Sequence, residues 1–333
     1  MDPLAGLATA DPERLAELLH GLNVDGTALQ EMLARLADSA GIVLGEEPPV
    51  NEVPAPIEWA AELRRKWQTK PGQLWRIPSL SVKGKAHRLL CGDSTSPTDV
   101  KRLMAGQRAG LFATDPPYLV DYDGTNHPSK LGQRDTKNKD WSGSYQDWDR
   151  SEQGEELYEG FIAAAIAHAI TPDAAWYCWH ASRRRAMVEA VWVRHEAFVH
   201  QEIVWVKDRA ILTRSWYLWQ HEPCMFGWVK GQKPRRVARD FLPSVWNVPT
   251  VPVGTSGDHP TIKPVEVFAI PIRQHTRKGE LCYEPFAGSG TQIVAAEQLG
   301  RVCYALELAP EFVAVTLERL SSMGLKPKPA GKA

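Results

Sequence analysis

The chain has 333 residues, 43 % hydrophobic and 24 % charged, the usage of an ordinary globular protein, which excludes wholesale disorder and a fibrous repeat. Lys plus Arg is 39 and Asp plus Glu is 40, a net charge of −1, so any nucleic-acid partner must be held by a local patch. The longest stretches free of Asp, Glu, Lys and Arg, 160–172 and 241–257, are too short or too broken by prolines for a membrane span of ~20 apolar residues, and no secretory signal is expected.

In chain order, residues 1–43 read as a helical hairpin appendage. Asp11-Pro12-Glu13 starts one helix, and Thr27 with Gln30 has the form of a capping box for the next. Residues 44–86 read as a Pro-rich linker with a short helix from Trp59 to Trp67. From Arg88 on, apolar runs of strand length alternate with amphipathic helices. Strands are predicted at 88–91, 110–113, 174–179, 281–284 and 302–306. Helices are predicted at 98–104, 157–169, 183–194, 265–274, 291–299 and 310–320. Buried strands alternating with helices predict an α/β fold, a doubly wound and mostly parallel sheet over 87–322. Residues 323–333 read as a disordered tail. In such sheets ligands bind at the C-terminal strand ends.

Five dispersed cysteines, Cys91, Cys178, Cys224, Cys282 and Cys303, form no C-x-x-C pair. They predict buried thiols in a reducing cytoplasm and argue against a disulfide framework or a zinc knuckle.

Two segments carry chemistry. Cys282-Tyr-Glu-Pro-Phe-Ala-Gly-Ser-Gly-Thr291 joins a strand to a helix through Gly288 and Gly290. Glycines there allow a tight turn and close approach of a ligand, and the free N–H groups of the helix start favour an anionic group. Glu307 ends the next strand 17 residues after Gly290, near the ~20 at which a carboxylate meets ribose hydroxyls. This order predicts a nucleoside cofactor, and with no phosphate loop of the G-x-x-x-x-G-K-[ST] kind ATP is not expected. The second segment is Asp115-Pro116-Pro117-Tyr118, directly after an apolar strand. Two prolines fix φ and leave the Pro116 carbonyl outside any helical ladder. Asp115, that carbonyl and the Tyr118 face offer two acceptors and a stacking plate, which suit an exocyclic aromatic amine.

Together these residues resemble an S-adenosylmethionine-dependent DNA amino-methyltransferase of the adenine-N6 or cytosine-N4 kind. His259-Pro-Thr261-Ile-Lys263-Pro264 is similar to the family's His-Pro-Thr-x-Lys-Pro element. The catalytic tetrapeptide precedes the cofactor loop, as in the permuted β-type order. The family usually has Asp at the position of Glu284, and commonly Gly and Asp where Ala305 and Ala309 flank Glu307. The resemblance implies S-adenosyl-L-methionine as cofactor and no metal. It implies cofactor contacts from Asp93, Thr261, Lys263, Phe286, Gly288, Ser289, Gly290, Thr291 and Glu307, and a target-recognition region at 199–258. It also implies transfer to a flipped base in double-stranded DNA. Asp as the first residue of the tetrapeptide favours adenine N6 over cytosine N4. An RNA methyltransferase and a DNA-binding protein without catalysis are weaker alternatives. A homodimer and a restriction endonuclease partner stay open.

Pro223-Cys224 has the form of a cytosine-C5 nucleophile, but the motif order is reversed and Cys224 sits in an apolar run, so no thiolate chemistry is expected. For DNA contact the basic residues Lys137, Lys139, Arg183, Lys207, Arg214, Lys233, Arg235 and Arg236 are the candidates, expected to surround one cleft. The polar stretch 121–150 is a candidate loop closing on DNA.

Overall fold

The computed structural model describes residues 32, 33, 35, 36, 47–119, 154–211, 216–238, 241–251 and 262–330. A short 3-10 turn leads into α1 (Ala60–Trp67). Then follow β1 (Leu74–Pro78), β2 (Ala86–Cys91), α2 (Pro97–Met104), β3 (Ala109–Thr114), α3 (Gly154–His168) and β4 (Ile170–Trp179). After these come α4 (Arg185–Arg194), β5 (Ala197–Ile211), β6 (Trp219–Val229), β7 (Val245–Asn247) and α5 (Val265–His275). The chain continues with β8 (Leu281–Glu284), α6 (Thr291–Gln298), β9 (Val302–Glu307), α7 (Pro310–Ser322) and β10 (Lys328–Pro329).

The strands form one sheet in the order β10-β1-β2-β9-β8-β3-β4-β6-β5-β7. Only β1 and β6 run against the rest. The central strands are apolar on both sides because both faces are covered. Along β3, Leu111 and Ala113 pack with α5, α6 and α7, whereas Phe112 packs with α2, α3 and α4. The expected doubly wound sheet is present. From β8 the chain steps outward to β9, and from β3 it steps the other way to β4. The crevice between β3 and β8 is therefore the topological switch point, where ligands of such sheets bind.

Three boundaries differ from expectation. The segment 44–86 is no free linker, because β1 belongs to the sheet. Ala55, Ile57 and Leu63 are buried against Ala314 and Val315 of α7, and Glu47 pairs with Arg301 at 2.5 Å. Extended Pro-rich backbone carries no periodicity, yet it can lay isolated apolar residues onto a surface. The disordered tail expected from residue 323 is corrected through residue 330. Leu325 is buried, β10 pairs with β1, and the Ala330 N–H donates to the Leu74 carbonyl at 2.7 Å. Finally, much of the segment 199–258 is scaffold, since β5, β6 and β7 lie within the sheet.

Of the N-terminal hairpin only Met32, Leu33, Arg35 and Leu36 are described, all helical; the rest of that expectation, and the loop 121–150, lie outside the described residues. All five cysteines are free and buried. Among the described residues no helix is long and apolar enough to cross a membrane.

Candidate active site

The Asp115–Tyr118 corner follows β3 at the C-terminal edge of the sheet. Its backbone is held from two sides. The Tyr158 hydroxyl donates to the Pro117 carbonyl at 3.1 Å. Arg184 donates through Nε and Nη2 to the Leu119 carbonyl at 2.9 and 2.6 Å. Leu119 itself is fully buried with φ +55°, a left-handed conformation that costs a non-glycine residue about 1 kcal/mol. The Arg184 fork and the burial of the leucine side chain hold that turn in place.

Four charged side chains meet behind the corner. The Lys263 ammonium, just before α5, lies 2.6 Å from Asp115 Oδ2 and 3.0 Å from Glu222 Oε2. It also donates to the Tyr118 hydroxyl at 3.0 Å and sits over the Tyr118 ring at 5.1 Å. That hydroxyl donates to Glu222 Oε2 at 2.8 Å, and Lys207 Nζ pairs with Glu222 Oε1 at 2.5 Å. Two carboxylates and two ammoniums thus neutralise one another, as buried charges must. Burial alone would raise Glu222, but Lys263 and Lys207 outweigh it and hold the carboxyl down to about 2. For Asp115, burial and the neighbouring Glu222 charge outweigh Lys263, and its carboxyl is raised. Lys263 is raised despite burial, because both carboxylates favour its charged form. Asp115 keeps 23 % of its side chain open to solvent, against 5 % for Lys263.

On the adjacent strand, β8 leads into the glycine loop. Gly288 and Gly290 have φ +51° and +79°. A Cβ at Gly290 would meet Thr316 Cγ2 at 2.5 Å, whereas at Gly288 nothing lies within 4 Å. The loop is pinned from below, as the Thr316 hydroxyl donates to the Gly288 carbonyl at 3.0 Å. Arg319 Nη1 donates to the Ser289 carbonyl and the Thr291 hydroxyl at 3.1 and 3.0 Å. Glu307 accepts the Gly288 and Ala309 N–H groups at 2.8 and 2.9 Å. Burial nevertheless pushes its carboxyl up to about 7. Glu284 links the two strand ends. Its Oε1 accepts the Thr114 hydroxyl at 2.9 Å and the Phe286 N–H at 3.0 Å, and, with the Gln292 amide turned so that its NH2 faces acceptors, its Oε2 accepts from it at 3.0 Å. Corner and loop are therefore neighbours at one end of the sheet.

The DNA methylase family (N6_N4_Mtase) matches residues 110–318. The chain belongs to this family. A relative in Escherichia coli (strain K12), YubD, whose name describes it as a methylase, is 25 % identical over 228 residues, 67 % of this chain and 92 % of that one. The type II methyltransferase M.Cfr9I of Citrobacter freundii is 33 % identical over 138 residues, covering 37 % of this chain and 44 % of its own. The fold is similar to that of the PvuII DNA methyltransferase (cytosine-N4-specific), with TM-score 0.50 and 15 % identity over 72 % of this chain and 88 % of that one.

As a DNA methyltransferase the chain uses S-adenosylmethionine, and its loop fits that group. Gly288 faces open space while Gly290 is packed from behind. Glu307 is a buried carboxylate at the adjoining strand end. Phe286, Ser289 and Thr291 flank the same turn. Asp93 follows β2 at this edge, exposed, with Oδ1 accepting the Thr95 N–H and hydroxyl at 2.8 and 2.7 Å, while Ser96 caps α2. Lys263 is drawn to the tetrapeptide by its two carboxylate partners. Thr261 lies outside the described residues.

The methyltransferase's basic candidates separate. Arg183 follows β4 at the catalytic edge and is exposed. Lys207 is corrected, because it is 6 % exposed and bound to Glu222, an inward partner that sequence spacing does not reveal. Lys233, Arg235 and Arg236 are corrected too. They follow the antiparallel strand β6, so they emerge at the N-terminal edge, opposite Asp115. Arg235 pairs there with Glu280, just before β8, and Arg236 lies over the Phe241 ring at 3.8 Å. Lys137, Lys139 and Arg214 lie outside the described residues. Near these basic residues, Trp228 is buried, whereas Trp216 and Trp219 are exposed. Cys224 is fully buried and burial pushes its thiol well up, which agrees with the exclusion of thiolate chemistry. Sequence reading missed Glu222, Arg184, Tyr158 and Arg319. Only Glu222 had a signal, a carboxylate opening the apolar run 224–229.

Proposed function

We propose that this chain methylates the exocyclic amine of a base extruded from double-stranded DNA, with adenine N6 preferred. The observation that carries the reading is the Asp115 carboxylate, partly open at the switch point, one strand away from the glycine loop that suits the cofactor. Asp93, Phe286, Gly288, Ser289, Gly290, Thr291 and Glu307 would hold S-adenosylmethionine. When bound, the cofactor supplies a methyl group activated by its sulfonium, whose C–S electron pair leaves with sulfur.

An aryl amine is a poor nucleophile because its lone pair is delocalised into the ring. Asp115 and the Pro116 carbonyl accept its two N–H bonds, which draws the nitrogen toward tetrahedral geometry and stabilises the positive charge developing there. The nitrogen then sheds one proton, and Asp115 is the acceptor. Tyr118, its hydroxyl fixed by Glu222 and Lys263, offers a face that replaces part of the stacking lost on extrusion, about 1–3 kcal/mol.

The test is tritiated methyl transfer to unmethylated DNA, followed by nucleoside digestion. Label in N6-methyladenine is expected. Label in N4-methylcytosine would reverse the base preference, and absence of transfer to any DNA would overturn the reading.

A further inference from the structure

Glu222 is the charged neighbour of the corner for which direct amine recognition has no use. It arrives from β6, on the far side of β4 from Asp115, and yet touches three of the corner's functional groups: the Tyr118 hydroxyl, the Lys263 ammonium and the Lys207 ammonium. Lys263 is in turn shared between Glu222 and Asp115.

This sharing answers a difficulty in the proposed chemistry. Asp115 must accept an N–H from an aryl amine, but its Oδ2 is already held by an ammonium at 2.6 Å. A charged donor makes a hydrogen bond roughly twice as strong as a neutral one. With Asp115 as its sole acceptor, Lys263 would out-compete the substrate. A second carboxylate 3.0 Å away changes the balance. The ammonium can lean from one partner to the other without being left unpaired in a dry site, where a lone charge is costly.

Resting on the methyl-transfer reading, we propose that Glu222 is a positioning residue: it fixes the Tyr118 plate and takes Lys263 over when the amine reaches Asp115. Lys207 keeps Glu222 anchored in turn. Among the described residues, the other titratable groups facing the corner are Cys178 of β4, Cys224 of β6 and Glu284 of β8. The Glu222 charge also helps to raise the Asp115 carboxyl. Replacing it with a neutral isostere therefore tightens Lys263 on Asp115 and lowers the pH at which Asp115 gains its proton.

The experiment compares the full chain with Glu222→Gln and Glu222→Asp variants, using tritium transfer to unmethylated DNA across pH 5–9. Glu222→Gln is expected to lower kcat by about 30-fold with a nearly unchanged KM for DNA. It is also expected to move the acid limb of kcat/KM to lower pH, with Glu222→Asp recovering part of both. Full kcat in Glu222→Gln, or a loss with an unmoved acid limb as packing damage would give, overturns the proposal. A second readout needs no activity, a thermal cycle of Glu222→Gln with Lys263→Met. The double variant should lose less Tm than the two single losses combined; additive losses overturn the shared-lysine network. If the parent chain transfers no methyl, the functional reading fails and the thermal cycle alone decides the network.

Discussion

The ends of β3 and β8 lie side by side, and each buries carboxylates, but their compensation differs. At the β3 end, Asp115 and Glu222 are matched by Lys263 and Lys207. Glu222 is held at about 2 although burial acts against it. Beside β8, Glu284 and Glu307 are satisfied by hydroxyl, amide and backbone N–H donors. Burial wins there: Glu284 is pushed well above the usual range and Glu307 to about 7. Two ammoniums hold Glu222 down, whereas Asp115, beside the Glu222 charge and sharing one of those ammoniums, is raised. Dipoles alone leave both of the β8-side carboxyls raised.

The strongest way to break this division is Asp115→Ala. Methyl transfer should fall by about 1,000-fold or more, while cofactor affinity, measured by calorimetry, should stay within about threefold. An active variant would remove the β3 end from the chemistry. Acid unfolding sharpens the contrast. The depressed folded-state value of Glu222 makes its contribution complete above the usual 4.5 and progressively lost as pH falls toward about 2. At about 1.4 kcal/mol per unit this is up to about 3 kcal/mol, and urea unfolding of Glu222→Gln should lack that slope.

At the other strand end the window lies near neutrality. Hydroxyls donating to Glu307 favour its ionised form, so cofactor affinity should rise about tenfold from pH 6 to 8 and then level. In Glu307→Gln the profile should be flat and the binding weaker. The glycines should separate next. Gly290→Ala drives a Cβ into Thr316 at a positive φ and should cost about 2 kcal/mol in urea unfolding. Gly288→Ala meets open space and should cost about 1 kcal/mol, the conformational part alone. Smallest of all, Lys233→Ala with Arg236→Ala should leave DNA affinity and its salt slope unchanged. Arg183→Ala should reduce the slope by about one.

The fold class was readable because β3, β8 and β9 are unbroken apolar runs, and the corner and loop because Asp115–Tyr118 and Gly288–Gly290 are local signals. Glu222 was hidden because its meaning depends on partners in β5, at 118 and at 263. Lys207 was misread for the same reason: a sequence shows a charge but not its counterion. The placement of Lys233, Arg235 and Arg236 needs the direction of β6, which residue types alone do not specify. β1 and β10 were obscured by Arg76, Pro78 and Pro329, which interrupt any apolar run there; of the two only β10 lies at the sheet edge, where proline is tolerated.

Strand β6 carries its glutamate to the Asp115–Tyr118 corner by register alone. Pairing of Cys178 with Met225 and of Trp179 with Cys224 fixes which face Glu222 presents. A single inserted or deleted residue between 179 and 224 that slipped this pairing would turn Glu222 to the opposite side of the sheet. Changes beyond the β5–β6 hairpin that keep the strand in step therefore leave the contacts of Glu222 with Tyr118, Lys207 and Lys263 in place.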